Sequence, residues 1–249
     1  MPSYDDLAEL YTTDYFSKTE SGYDGSHLRD YSWVFANLPE PQRGLFVDLG
    51  CGDGELLRLA AARGYEVLGL ELNETSAHQA RSAAGCRVVT FDKLSLFIGR
   101  AAAVHLGDVL EHVADPESLV RDAKILLQDG GLLLAQGPLE ANRSPFNILI
   151  AVAAICRCSV PVVTPPYHVH LVSSRGQERF FRRLGFETLS YRLSDISWPA
   201  PRRFGLALFR DPRRLALYLC RRISSAVRPL APQVLSNRFE YIGRYTIQE

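Results

Sequence analysis

The stretch Val47-Asp48-Leu49-Gly50-Cys51-Gly52-Asp53-Gly54 places glycines at every second position, directly after a short apolar run. Glycine carries no Cβ, so such a turn lets the backbone leave a strand sharply and approach a ligand closely. The spacing is GxGxG, one residue tighter than the GxGxxG of dinucleotide-binding turns, where a helix N-terminus cradles a pyrophosphate. Two acids extend the pattern. Glu71 follows Asp48 by 23 residues at the end of a second apolar run, where a carboxylate can accept hydrogen bonds from both ribose hydroxyls of a nucleoside. Asp92 closes a third run, placed to meet an adenine amino group. Taken singly, either acid is more often a solvated loop residue or a helix cap. At three successive strand ends, the combination reads as a nucleoside site. His112, His168 and His170 follow the fourth and fifth runs, and an imidazole with a near-neutral pKa suits removal of a proton from a hydroxyl. For each histidine a hydrogen-bonded structural role stands beside the catalytic one, and for His170 it weighs more.

These residues can act together only if the fold brings them to one edge. Apolar runs at 45–47, 66–70, 87–91, 101–106 and 131–136 read as strands, with helical spacing at 56–62, 75–84 and 116–127, the last opened by Pro116. Short strands alternating with helices indicate a parallel sheet covered on both faces. Right-handed crossovers then put every strand C-terminus on the same edge, where ligands bind at the topological switch point. A helix at 174–184 leads through Gly185 into a strand at 186–193.

Composition fits this reading. Hydrophobic residues make up 47% of the 249-residue chain and charged residues 22%, the profile of a globular protein with a sizeable core. Formal charge is zero, so no overall field directs the chain to nucleic acid. The balance hides an asymmetry, because residues 199–249 hold ten arginines against Asp211, Glu240 and Glu249. A basic tail of this kind attracts anionic molecules or lipid headgroups, although a solvated helix face is its commoner role. The five cysteines, Cys51, Cys86, Cys156, Cys158 and Cys220, form no CxxC pair and show no metal-ligand spacing. Reduced thiols in a cytoplasmic protein, with no metal site, are the expectation. The acidic start Met1-Pro2-Ser3-Tyr4-Asp5-Asp6 lacks the basic and apolar regions of a signal peptide.

With these motifs in place, the sequence resembles the class I S-adenosylmethionine (SAM)-dependent methyltransferases, especially the small-molecule group that includes the ubiquinone-biosynthesis type enzymes. The resemblance rests on Asp48 with Gly50, Gly52 and Gly54, on Glu71 and Asp92, on Leu110-Glu111-His112-Val113, and on the turn Asp129-Gly130-Gly131, where Asp129 replaces the family's proline. It covers residues 44–193 and implies an α/β, doubly wound, Rossmann-like sheet of seven strands, with an antiparallel last strand at 238–247 and helices on both faces. It implies one domain, with an N-terminal cap at 1–40, an acceptor lid at 141–170 and a basic C-terminal segment at 194–249. The cofactor would be SAM, held by Asp48, Gly50, Cys51, Gly52, Gly54, Glu71, Leu72, Asp92, Lys93, Gly107 and Tyr15. His112 and His168 are the candidate catalytic residues.

Methyl transfer from a sulfonium depends mainly on positioning, sometimes with a base or with desolvation. Residues 145–163 contain 14 apolar side chains among 19, with Arg157 the only charge. This is too short for a membrane span. As a roof over the acceptor it suggests a small, lipophilic acceptor methylated on oxygen, with nitrogen or carbon as alternatives; as a core helix it has comparable weight. An amphipathic helix within 206–223, rich in arginine, offers peripheral membrane contact, a second-subunit contact or a cap on the sheet. Thr164-Pro165-Pro166-Tyr167 looks like the motif of amino-methylating enzymes, but that motif follows strand four and here it comes after strand five. Two other functions compete: a nicotinamide-dependent oxidoreductase, which the glycine spacing disfavours, and a non-catalytic SAM-fold subunit.

Overall fold

In strand β1 (Leu45–Leu49) every residue is buried, and its alternating side chains feed two separate cores. Leu45, Val47 and Leu49 pack on one face, Phe46 on the other. A strand buried on both sides must lie inside a sheet sandwiched by helices. The computed structural model describes residues 31–72, 74–156, 168–195, 205 and 209–246. Tyr15 and the 164–167 motif lie outside them.

The remaining strands are β2 (Val67–Glu71), β3 (Val88–Thr90), β4 (Ala101–Gly107), β5 (Leu127–Pro138), β6 (Glu187–Ser194) and β7 (Arg238–Arg244). They form a seven-stranded sheet in the order β3-β2-β1-β4-β5-β7-β6. Strands β1 to β5 are mutually parallel, and β7 runs antiparallel to both β5 and β6. The expected antiparallel last strand is therefore present, inserted between β5 and β6.

Helices α1 (Ser32–Phe35), α2 (Glu55–Ala61) and α3 (Glu74–Ala84) cover one face through Trp33, Leu56, Leu57, Ala77 and Ala80. Helices α4 (Pro116–Leu126) and α6 (Ser174–Arg183) cover the other through Leu119, Val120, Leu126 and Phe181. Local chemistry sets the helix starts. The Asp115 side chain accepts the Ser118 N–H with Pro116 at the first helical position, and Ser173 caps α6 through the Gly176 N–H; side chains of this kind satisfy donors that the helix leaves unpaired. Helix α5 (Pro145–Ile155) lies between β5 and α6 in the chain, and α7 (Pro212–Val227) and α8 (Pro232–Leu235) lie between β6 and β7.

Strand β5 starts earlier than its hydrophobic pattern suggests. Leu127 already pairs with Ala101, and the ladder resumes at Leu132 after an irregularity that takes in the Asp129-Gly130-Gly131 turn. Apolar periodicity starts only after that turn, whereas backbone pairing with β4 is already made before it, at Leu127.

Candidate active site

The chain leaves β1 through three left-handed glycines, Gly50, Gly52 and Gly54, with φ of 74°, 57° and 72°. Their surroundings differ. A Cβ on Gly50 would lie 2.8 Å from a Val109 methyl, and one on Gly54 would lie 2.5 Å from the Ala84 Cβ. Gly50 thus lets the loop after β4 approach, and Gly54 lets α2 start against α3. A Cβ on Gly52 would meet nothing within 4 Å among the described residues, so of the three it is Gly52 that leaves room for a ligand to lie against the backbone.

Glu71, at the end of β2, is 7% exposed. Its carboxylate accepts the Gly52 N–H at 2.6 Å and the Leu72 N–H at 3.1 Å. Burial pushes its pKa up to about 7, although both backbone donors pull it down. Asp48 is buried as well, with Oδ1 at 2.7 Å from Nδ1 of His105 on β4. His105 escapes motif reading because its spacing from Asp48 carries no local signal. Gly107, which ends β4, leaves room for that ring: a Cβ there would sit 2.5 Å from His105 Cε1.

Cys51 stands in the turn, but its side chain is buried in the core beneath Gly69, whose added Cβ would lie 2.6 Å from the sulfur. Burial pushes the thiol pKa up. Only the Cys51 backbone is left for a ligand. Asp92 sits in the first turn of a 3-10 helix (Phe91–Phe97), just past β3, which ends at Thr90. Thr90 Oγ1 donates to it and Lys93 Nζ lies 2.9 Å away, and these contacts hold its carboxyl below the ordinary range. Asp92 and Lys93 are both exposed.

Across the switch point stands a second cluster. Asp108 is the only non-glycine residue with positive φ (55°) among those described. Its carboxylate is gripped by Arg238 of β7 in two bonds of 2.7 Å each. Glu111 is 5% exposed, and burial, reinforced by the Asp108 charge, raises its pKa well above the carboxylate range. The His112 and His168 rings meet edge to face, 4.6 Å between centroids. Nδ1 of His168 lies 2.9 Å from Glu140 Oε1. The Glu111 carbonyl accepts the Val169 N–H at 2.8 Å, which ties the segment after β5 to the loop after β4. His170 donates through Nε2 to the Ala114 carbonyl at 3.3 Å, a structural contact.

The two predicted catalytic histidines are therefore neighbours, although 56 residues separate them. Glu140, Asp108 and Arg238 join them without any sequence signal. Glu111 had one, as part of the Leu110–Val113 motif.

The space above Gly52, the buried Glu71 carboxylate and the glycine turn at the β1 switch point fit a nucleoside cofactor. On this sheet order they define a Rossmann-like methyltransferase. The chain belongs to the family described as "Methyltransferase domain", which matches residues 28–191, and its cofactor is S-adenosylmethionine. This removes the oxidoreductase alternative. Among solved structures, a chain from the complex between the Haloferax volcanii Trm112 methyltransferase activator and the putative methyltransferase is 17% identical, with TM-score 0.64 over 95% of this chain and 96% of that one. A SAM-dependent methyltransferase from Archaeoglobus fulgidus is 16% identical, with TM-score 0.57 over 86% and 91%. A putative methyltransferase from Bacillus halodurans is likewise 16% identical, with TM-score 0.56 over 88% and 99%. At these identities the likeness is one of fold. A search of curated proteins finds no match.

Proposed function

We propose that the enzyme methylates a hydroxyl oxygen of a small, lipophilic acceptor, in the manner of the ubiquinone-biosynthesis type enzymes. The observation that carries this reading is the pairing of His112 and His168 with Glu111 and Glu140, at the sheet edge that also carries the glycine turn. S-adenosylmethionine supplies the methyl group as a sulfonium. The chain's own part is to hold the ribose at Glu71, admit the cofactor over Gly52 and activate the acceptor hydroxyl at the histidine–carboxylate cluster. Positioning of this kind accounts for much of the rate of such a displacement.

The apolar character of the acceptor is supported by α5, which follows Glu140 and leaves Ile148, Val152 and Ile155 exposed. Helix α5 packs against α7, whose Leu219 and Ile223 are also exposed beside Arg222. Together they offer an apolar, basic surface suited to peripheral contact with anionic lipid. No described helix is long and apolar enough to cross a membrane.

Transfer of labelled methyl from SAM to a panel of phenols and alcohols of graded hydrophobicity tests the reading. Incorporation into a lipophilic hydroxyl compound, above that into polar analogues and into amines, is expected. A polar metabolite or an amine as the best acceptor overturns it. Cosedimentation with anionic vesicles that weakens as salt rises tests the surface contact; no binding at low salt rejects it.

A further inference from the structure

The ligand-bearing atoms of Glu111, His112 and His168 all lie within 4.8 Å of one another. Two carboxylates stand against the two imidazole rings: Glu111 belongs to the cluster itself, and Glu140 Oε1 lies 2.9 Å from His168, while Asp108 stands three residues before Glu111 on the same loop. The guanidinium that faces them, Arg238, is committed to Asp108 in two bonds. Among the described residues no lysine or arginine forms a salt bridge with Glu111 or Glu140, and Glu111 is almost wholly buried; a buried carboxylate is tolerated only when neutralised or paired. Glu140 Oε2 is enclosed with no hydrogen-bond partner among the described residues. Glu140 Oε1 and Nδ1 of His168 are within ion-pair reach, though not aligned as a hydrogen bond. A carboxylate behind one imidazole nitrogen orients the ring and raises the basicity of the other, the arrangement found behind metal-binding histidines.

We propose that Glu111, His112 and His168 bind a divalent transition-metal cation, with Glu140 orienting His168, and that the cation takes the acceptor hydroxyl in an open coordination position. Two imidazoles and a carboxylate suit zinc, cobalt, iron or manganese better than magnesium or calcium. Three protein ligands leave room for substrate. A divalent charge also balances Glu111 and Glu140. The proposal rests on the oxygen-methylation reading above and states how the hydroxyl is activated: by a Lewis acid that makes it more acidic, and not by either imidazole acting as a base. The acceptor O–H proton passes to Glu140 or solvent, the oxygen forms its bond to the methyl carbon, and the carbon–sulfur bonding pair remains on sulfur. The cation's oxidation state does not change.

Titration of the full chain with Co2+, followed by its ligand-field absorption, tests the site directly. One equivalent is expected to bind and to be displaced by Zn2+. His168→Gln and Glu111→Gln should each weaken Co2+ binding by at least about 100-fold, the upper end of the loss seen when only an outer-shell partner is removed, and the exposed His78→Gln should not. Should Glu111→Gln fail to fold, His168→Gln alone decides. Absence of stoichiometric binding in folded protein, or unchanged affinity in His168→Gln, overturns the proposal. SAM binding measured calorimetrically on the same samples separates the failures. Intact SAM binding and methyl transfer without Co2+ binding reject the cation and spare the methyltransferase reading; Co2+ binding without transfer to any hydroxyl rejects the oxygen-methylation reading.

Discussion

The two halves of the proposed site, a cofactor half and an acceptor half on either side of the switch point, are made in different ways. The cofactor half is built from backbone: left-handed glycines, the Gly52 and Leu72 N–H groups, and one buried carboxylate that accepts both. Its parts lie in two short segments, residues 48–54 and 71–72. The acceptor half is built from side-chain charge, drawn from residues 108, 111, 112, 140, 168 and 238. A backbone cradle is sensitive to added volume and tolerant of changes in charge. A charge cluster behaves in the opposite way, because removing one member changes the charge balance around the buried Glu111.

The strongest way to break this comparison is at Gly52. Gly52→Val projects a branched side chain into the room left for the ligand and should lower SAM affinity by more than about 100-fold, while left-handed strain costs on the order of 1–3 kcal/mol of stability. Calorimetry together with thermal unfolding checks both. Near-normal SAM binding would reduce the glycine turn to a connection.

Arg238→Gln makes the complementary cut. Asp108 is exposed, so loss of the bidentate grip should destabilise the protein by no more than about 1 kcal/mol and slow methyl transfer, with SAM affinity nearly unchanged. If denaturant titration shows a larger loss of stability, or if SAM binding falls as far as turnover, the halves are not independent.

Glu71 tests the carboxylate of the cofactor half that accepts two backbone N–H groups. Glu71→Gln should weaken SAM binding by about 1–3 kcal/mol. The pH dependence follows from the sign of the shift. Burial raises the folded-state carboxyl to about 7, so the native state keeps this proton at pH values where the unfolded chain has released it. Stability from this group is full below the ordinary carboxylate range, falls as pH rises toward 7 and levels off above it. Ribose donors favour the ionised form, so SAM affinity should rise with pH up to about 7 and binding should release a proton. Calorimetry in buffers of different ionisation enthalpy reads this, and Glu71→Gln should abolish it. A pH-independent affinity in the native protein would reject the assignment.

The smallest effect is expected at the roof. Ile155 is 82% exposed, so Ile155→Ser should change stability by no more than about 0.5 kcal/mol. It should raise KM for a lipophilic acceptor without altering SAM affinity. An unchanged KM across acceptors of different hydrophobicity would detach α5 from substrate binding.

Much of the cofactor half was legible from the chain alone. Asp48, the three glycines and Glu71 sit at strand ends that apolar periodicity locates to within a residue or two. Sequence did not show that Gly50 and Gly54 face different neighbours while Gly52 faces none among the described residues, nor that Cys51 turns inward. The third strand is expected to run to Phe91 and ends at Thr90, because Phe91 continues the apolar run while the backbone has already turned; Asp92 follows it as expected.

The sequence by itself determined the layered fold, the edge at which chemistry occurs and the cofactor. Strand and helix periods are local, and a glycine turn carries its conformation in its own residues. The acceptor half was decided only by tertiary structure. Arg238 reaches Asp108 because β7 inserts antiparallel beside β5, and His168 meets His112 because the chain after β5 folds back onto the loop after β4. Such pairings depend on side chains separated by 56 to 130 residues, and no local pattern encodes a contact that forms only when distant strand ends share one edge.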